Sequence, residues 1–367
     1  MPRKYFINNR DSFLNILFFV SAWVLAGNLY AFFKWYGFSE YSPILADTYS
    51  YSVVLLHLQL TLGGFLLGLI TGLADNRIFD PSMRKKPLFY IILLKALFLI
   101  VTIVFVVLLL FMISQVLVKQ NALGHLIPLA ADFFLSRSFI AILVYCSFFS
   151  FIISFTREVS RKLGIRVIWN MLTGKYYQPI TEESVFLFID LKSSTTYAED
   201  LGHLRFSMLI QDCFYHLARV VRKCHAEVYQ YVGDEVVLTW RVKKGQIDVQ
   251  PFSAFFAFEK VLQLNAGYYR SKYGFVPVFK AGMDAGFVTI VEVGEIKSEI
   301  AYHGDVLNTA ARLEGQCNVF HKKLLISENV KSKLPDHIPY TMELIGDIDL
   351  KGKNKTVKVY AVEEKVG

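Results

Sequence analysis

Two aspartates stand where carboxylates could do chemistry together. Asp190 closes the apolar run Val185–Leu191, and Asp234 follows Gly233 between two strand-like stretches, Glu227–Val232 and Glu235–Arg241. Carboxylates at adjacent strand ends, beside the hydroxyl-rich turn Ser193, Ser194 and Thr195 and a helix N-terminus, suit two divalent cations and a polyphosphate. The carboxylates would hold the cations, and the exposed amides would face the anion. Asn308 and Arg312 are four residues apart on one helical face, behind the turn His303-Gly304-Asp305. A lone strand-ending aspartate reads as a cap, and a lone Asn/Arg pair reads as a solvated face. Occurring together, the two pairs are specific.

The elements that must position them form a compact order. The turn Lys192–Thr196 leads into the capping box Thr196…Glu199, which predicts a long helix to about Cys224. Gly233-Asp234 is a two-residue hairpin signal with glycine first. A second helix is expected over about Pro251–Tyr273, strands over Val276–Asp284 and Phe287–Val293, and a helix from about Gly304 to Gln316. Tyr340–Leu350 and Thr356–Val362 read as strands around the turn Lys351–Lys355. This order predicts an α+β sandwich with helices over a mixed sheet.

The first part of the chain is of another kind. The 367 residues are 54% hydrophobic and 19% charged, against about 25% charged in an average soluble domain. Residues 1–156 hold eleven basic and six acidic side chains, whereas 176–367 hold 23 and 24. Four segments reach the roughly 20 apolar residues that a bilayer-spanning helix requires: Ser12–Phe33, Tyr51–Leu73, Pro87–Ile113 and Ser138–Thr156. Only the third carries a charge, Lys95, placed roughly 12 Å in from the near end at the helical rise, and snorkelling of its stem is expected. Asn28, His57 and Gln59 are expected to bond between helices. The first span lacks a cleavage pattern and is read as retained.

Arg3, Lys4 and Arg10, then Arg77, Arg84, Lys85 and Lys86, then Arg157, Arg161, Lys162 and Arg166 lie on one side of the spans. The 38–50 loop carries only Glu40 and Asp47, and the 114–137 loop carries Lys119 and Arg137 as its basic residues. By the positive-inside rule, the chain is a multi-pass protein of the cell (inner or plasma) membrane, with its N-terminus and C-terminal domain in the cytoplasm. Residues 157–175 read as a basic amphipathic helix that lies on the membrane or pairs with a second copy. The expected organisation is therefore a membrane domain 1–156, a juxtamembrane helix and linker 157–182, and a soluble domain 183–367.

The formal net charge of +8 belongs to residues 1–156 and 157–175, which carry +5 and +4, while 176–367 carries −1. Topology and anionic lipid headgroups account for it better than nucleic acid does. Cys146, Cys213, Cys224 and Cys317 are widely spaced without a CxxC pair, so they are expected as reduced, mostly buried thiols rather than a disulfide framework or zinc site.

The stretches FIDLKSST (188–195), YQYVGDEVVLTW (229–240), HGDVLNTAAR (303–312) and DLKGK (349–353) resemble the class III nucleotidyl cyclase catalytic domain over about residues 183–364. The resemblance implies a ferredoxin-like, palm-type domain behind the four-helix transmembrane bundle. It implies that Asp190 and Asp234 ligate two magnesium ions per site, or manganese, with the Leu191 carbonyl as a further ligand. Asn308 would position the ribose, Arg312 would stabilise the transition state and Lys351 would hold the terminal phosphates. The metal pair and the Asn/Arg pair would come from opposite subunits of a head-to-tail homodimer. The implied reaction is attack of the ribose 3′-oxygen on the α-phosphorus, expelling pyrophosphate.

Base choice departs from the family's usual pattern. Adenylate cyclases of the family usually carry Lys and Asp, and guanylate cyclases Glu and Cys, where this chain has Gln230 and Ala301. A glutamine amide both donates and accepts, and alanine does neither. A guanine-reading glutamate is absent, so the expected reaction is ATP to 3′,5′-cyclic AMP for intracellular signalling. The alternatives are a guanylate or dual-substrate cyclase, or a catalytically inactive cyclase-like receptor. Tyr231–Glu235 brushes against the GGDEF signature of diguanylate cyclases but lacks its first glycine and its phenylalanine.

Overall fold

The computed structural model describes residues 9–34, 53–79, 86–117, 126–163, 165–296, 298–335, 337–349 and 356–365. It divides into two compact units, 1–169 and 170–367.

The first unit is helical: α1 (Asn9–Phe32), α2 (Val53–Ala74), α3 (Leu88–Leu117), α4 (Leu126–Phe134) and α5 (Arg137–Leu163), with α6 (Ile165–Leu172) crossing the division. Among the described residues, four helices are long and apolar enough to cross a membrane, over Ser12–Phe32, Leu56–Phe79, Phe89–Ile113 and Phe139–Ser160. In each of them a third or less of the most apolar stretch is buried. Side chains such as Leu25, Phe89 and Val101 face outward, at 70%, 77% and 70% exposure. Such an exterior suits acyl chains, since a soluble monomer does not expose apolar surface on this scale.

Close packing inside the unit comes from small residues. A Cβ on Gly68 of α2 would lie 2.4 Å from the Val20 Cα of α1, and one on Gly64 would lie 2.6 Å from the Trp23 carbonyl oxygen. Glycine therefore lets the two backbones touch. Asn28 Oδ1 accepts from His57 Nδ1 at 2.9 Å and its Nδ2 donates to Thr61 Oγ1 at 3.0 Å, so both α1 and α2 polar groups are paired.

Lys95 does not snorkel. It is buried, and its ammonium donates to Asp75 at 2.7 Å and to Glu158 at 2.8 Å. Asp75 opens a π turn, Asp75–Phe79, that follows α2 and turns Asp75, Asn76 and Phe79 inward. Asn15 of α1 donates to Asp75 and Asn76 at 2.9 and 2.7 Å. With two anionic partners inside the unit, the lysine gains more from pairing than from reaching the interface.

The fourth apolar run does not end as a helix at residue 156; α5 continues to Leu163, past Glu158, and α4 occupies part of the stretch expected as a loop. Several residues used to orient the chain, Arg3, Lys4, Arg84, Lys85, Glu40, Asp47 and Lys119, lie outside the described residues.

The second unit is built on one eight-stranded sheet: β1 (Ile180–Leu191), β2 (Glu227–Val232), β3 (Glu235–Arg241), β4 (Phe279–Val293), β5 (Glu299–His303), β6 (Leu324–Ser327), β7 (Tyr340–Ile348) and β8 (Val357–Glu364). The strand order is β2-β3-β1-β4-β6-β8-β7, with β5 also on β4, and the β4–β6 pairing is parallel while the others are antiparallel. Helices α7 (Ser194–Lys223), α8 (Gln250–Leu264) and α9 (Ala266–Tyr273) pack on the face presented by Val185, Leu187 and Ile189. Helix α10 (Asp305–Gln316) packs on the other face, its Val306 and Ala310 against Phe186 and Phe188. Alternate residues of β1 thus feed two cores, as the pleat requires.

Three local expectations change. β4 is a single 15-residue strand rather than two, because Ser184 of β1 pairs with Gly286 and carries the ladder through the glycine. The helix expected over 251–273 is broken at Asn265. The capping box at Thr196 is unused: α7 begins at Ser194, and Gly202 kinks it with φ +70°. The four cysteines are free thiols, with Cys213, Cys224 and Cys317 buried.

Candidate active site

Ile189 of β1 pairs with Val236 of β3, which sets the end of β1 alongside the hairpin tip where Gly233 turns with φ +60°. Asp190 and Asp234 therefore come from neighbouring strand ends, as expected. Asp190 is half-buried, and so is Asp234, whose Oδ2 is buried without a hydrogen-bond partner among the described residues. Burial, with Glu314 and Asp234 nearby, pushes the Asp190 carboxyl up to about 6, against the opposing pull of Lys280. Burial and the fields of Glu314, Asp190 and Asp234 push Glu235 up to about 7. A group of carboxylates that holds its protons this firmly is short of positive charge.

Leu191, the last residue of β1, is buried and pairs with Phe279. Ser193 turns the chain in the left-handed region, φ 60° and ψ 34°, directly before α7, leaving Ser193 and Thr195 exposed and Ser194 half-buried at the start of a 30-residue helix. The first amides of a helix have no intrahelical acceptor, so this end is suited to face an anion.

Helix α10 buries Val306, Thr309, Ala310 and Leu313, and so leaves Asn308 exposed and Arg312 half-buried on another face. The Arg312 Nη1 is buried and without a partner among the described residues. Gln230 lies in the exposed half of β2, and Ala301 is half-buried in β5 opposite Val291. The residues beside them, Tyr229 and Tyr302, meet edge-to-face at 4.9 Å over Phe186. Lys351 lies outside the described residues.

The structure adds residues that the motifs do not single out. Lys280 of β4 is the cross-strand partner of Asp190; its Nζ is 3.2 Å from Asp190 Oδ2 and also donates to Glu314 of α10. Lys280 and Glu314 are both 8% exposed. Burial disfavours the lysine's charge, but Glu314 and Asp190 hold its ammonium above the usual lysine range. A lysine inside the otherwise apolar Val276–Met283 was the available signal, because a buried strand lysine needs a carboxylate.

The donor set fits a divalent cation of the magnesium type. Among the described residues no group of three or more His, Cys, Asp and Glu side chains forms a cage. Two carboxylates and a carbonyl, one carboxylate oxygen being buried and unpaired, match an ion that keeps water and takes phosphate oxygens.

Residues 176–364, just over half of the chain, match the adenylate and guanylate cyclase catalytic domain. The chain belongs to this family. Adenylate cyclase 2 of Rhizobium meliloti (strain 1021) is 34% identical over 221 residues, covering 60% of this chain and 61% of that protein. An adenylate cyclase of Anabaena cylindrica is 22% identical over 190 residues, 50% of this chain and 37% of that one. The chain thus spans about three fifths or less of the curated relatives it matches. A solved bacterial light-regulated adenylyl cyclase superposes with a TM-score of 0.52 at 20% identity, over 63% of this chain and 67% of that one, which places the cyclase domain in the same fold.

Proposed function

We propose that this chain is a membrane-anchored adenylate cyclase that converts ATP to 3′,5′-cyclic AMP and pyrophosphate at a site shared between two copies, on the cytoplasmic side of a cell membrane. The observation that carries the reading is the pairing of Asp190 with a hairpin-tip Asp234 whose Oδ2 is buried and unpartnered. Asp190, Asp234 and the Leu191 carbonyl would hold divalent cations, magnesium or manganese. When bound, these lower the pKa of the ribose 3′-hydroxyl and neutralise charge on the pyrophosphate.

In the reaction a bond forms between the 3′-oxygen and the α-phosphorus, and the bond from that phosphorus to pyrophosphate breaks. Asn308, exposed on α10, is suited to orient the ribose. Arg312 is suited to meet the growing negative charge, because its buried Nη1 has no described partner and costs no competing bond. The amides of Ser193, Ser194 and Thr195 face the polyphosphate, and Lys351 is assigned to the terminal phosphates. ATP is preferred because both curated relatives are adenylate cyclases and because Gln230 offers no anion to the guanine edge. Four apolar spans with an outward apolar surface support the membrane anchor, and the basic flanks support a cytoplasmic catalytic domain.

The test is to incubate the full chain, in detergent or nanodiscs, with ATP or GTP and magnesium or manganese, and to separate products chromatographically. Cyclic AMP from wild type and none from Asp234→Ala is the expected outcome. Cyclic GMP as the only product would reassign the base, and no cyclic product from a folded preparation would favour a receptor without turnover.

A further inference from the structure

Lys280 sits between two carboxylates that come from different elements of the fold. Asp190 is the last residue but one of β1, and Glu314 lies two residues beyond Arg312 on α10. The contact between β4 and α10 is tight at this level: a Cβ on Gly282 would meet the Ala310 carbonyl oxygen and the Glu314 amide nitrogen at 2.2 Å each. The helix cannot slide here without moving the strand. Lys280 is too buried to be a solvated surface charge, and its head has two acceptors of unequal closeness. Glu314 holds it directly, whereas Asp190 stands 3.2 Å away.

We propose that the Lys280–Glu314 pair sets the divalent-cation affinity of Asp190. Lys280 is a positioning residue that orients the Asp190 carboxylate and partly offsets its charge, and Glu314 restrains the ammonium from neutralising Asp190 outright. This inference rests on the cyclase reading for the identity of the cation site. The two members of the pair then act with opposite sign. Lys280→Met removes a competing cation beside Asp190, so the site becomes more negative and binds a divalent ion more tightly. Glu314→Gln releases the ammonium toward Asp190 and weakens that binding. Shifts on the order of tenfold are expected, as for other groups that act on a metal through its ligand. Both variants lose turnover, because the carboxylate loses its fixed orientation and α10 loses its tie to β4.

The experiment is titration of the full chain with Mn²⁺ in the absence of nucleotide, at fixed pH, reading free Mn²⁺ by electron paramagnetic resonance. Asp190→Asn serves as the site control, and kcat and KM for ATP are measured on the same preparations. Expected are tighter Mn²⁺ binding for Lys280→Met, weaker binding for Glu314→Gln, and near wild-type binding for Lys280→Arg. Should a single variant fail to fold, the charge-balanced Lys280→Met/Glu314→Gln double variant carries the test, with an affinity within about threefold of wild type. Shifts of the same sign in both single variants, or no shift in either, would overturn the proposal, as would a double variant shifted tenfold. If wild type forms cyclic AMP while the Mn²⁺ affinities do not diverge, the pair's role fails and the cyclase reading stands. If the affinities diverge and no cyclic nucleotide forms, the pair's role stands and the reaction assignment fails.

Discussion

Gly282 and Ala310 face each other so closely that a single added methyl group would come within 2.2 Å of the Ala310 carbonyl oxygen. This is the point at which α10, bearing Asn308 and Arg312, rests on the central strand of the cyclase domain. The contact is backbone to backbone, so no side-chain rotation can relieve an added atom. Gly282→Ala should lower stability by about 1–3 kcal/mol and reduce turnover further than stability alone would. Thermal unfolding together with kcat on the folded fraction checks it; an unchanged kcat would show that α10 has slack.

The proposed sharing of the site between two copies makes a mixing experiment decisive. Asp234→Ala and Arg312→Ala chains should each be inactive alone. Mixed and allowed to exchange, they should recover activity from one of the two composite sites in each heterodimer, the one that retains both residues. Absence of recovery, with heterodimers demonstrated by differential tagging, would argue for a site built within one copy.

In the helical unit, Lys95 is held by Asp75 and Glu158, both nearly buried. Lys95→Ala would remove the cation shared by two buried carboxylates and should lower stability by about 3–5 kcal/mol, seen as a lower unfolding temperature in detergent. Adding Asp75→Asn and Glu158→Gln to Lys95→Met removes all three charges and should restore most of it. A single-variant loss that the triple variant leaves untouched would mean the cluster acts through packing rather than charge.

Asp212 gives the cyclase domain an acid limit. Burial opposes its charge, but Lys272, Tyr268 and Tyr273 each donate to its Oδ2 at 2.6 Å, and together they hold the carboxyl down at about 2. The folded pKa lies below the unfolded one, about 3.9. This contribution is therefore fully present above pH 4 and is lost as the pH falls toward 2. Urea midpoints measured between pH 5 and 2.5 should fall more steeply for wild type than for Asp212→Asn, and parallel slopes would remove this role.

What could be read from the chain before folding was whatever sits within a few residues. Asp190, the Gly233-Asp234 tip and the Asn308/Arg312 spacing are local, and each motif carries its own turn or helix. Lys280 and Glu314 escaped notice because their pairing depends on strand register and spans 34 residues. The pairing of Lys95 is hidden from local sequence for the same reason: its partners lie 20 and 63 residues away, and snorkelling is only the default for a lysine with no anion in reach. At β4, Ala285-Gly286 resembled a break, but a full-length ladder with β1 overrides local turn preference. The capping box at Thr196 lost to a left-handed Ser193 that caps the helix three residues earlier.

The β1–β4 ladder also has a consequence for how the protein is made. Ile180 pairs with Ile290, so the strand that ends in Asp190 leaves the ribosome about 100 residues before its central neighbour exists. Loop-closure entropy must be met before such distant pairing is rewarded. The apolar helices, by contrast, depend on near neighbours and can form as they emerge. During synthesis β1, with its run of Val185–Ile189, can pair only with β3 until β4 emerges, and that interval, with one apolar edge open, is when the nascent cyclase domain is most exposed to misassembly.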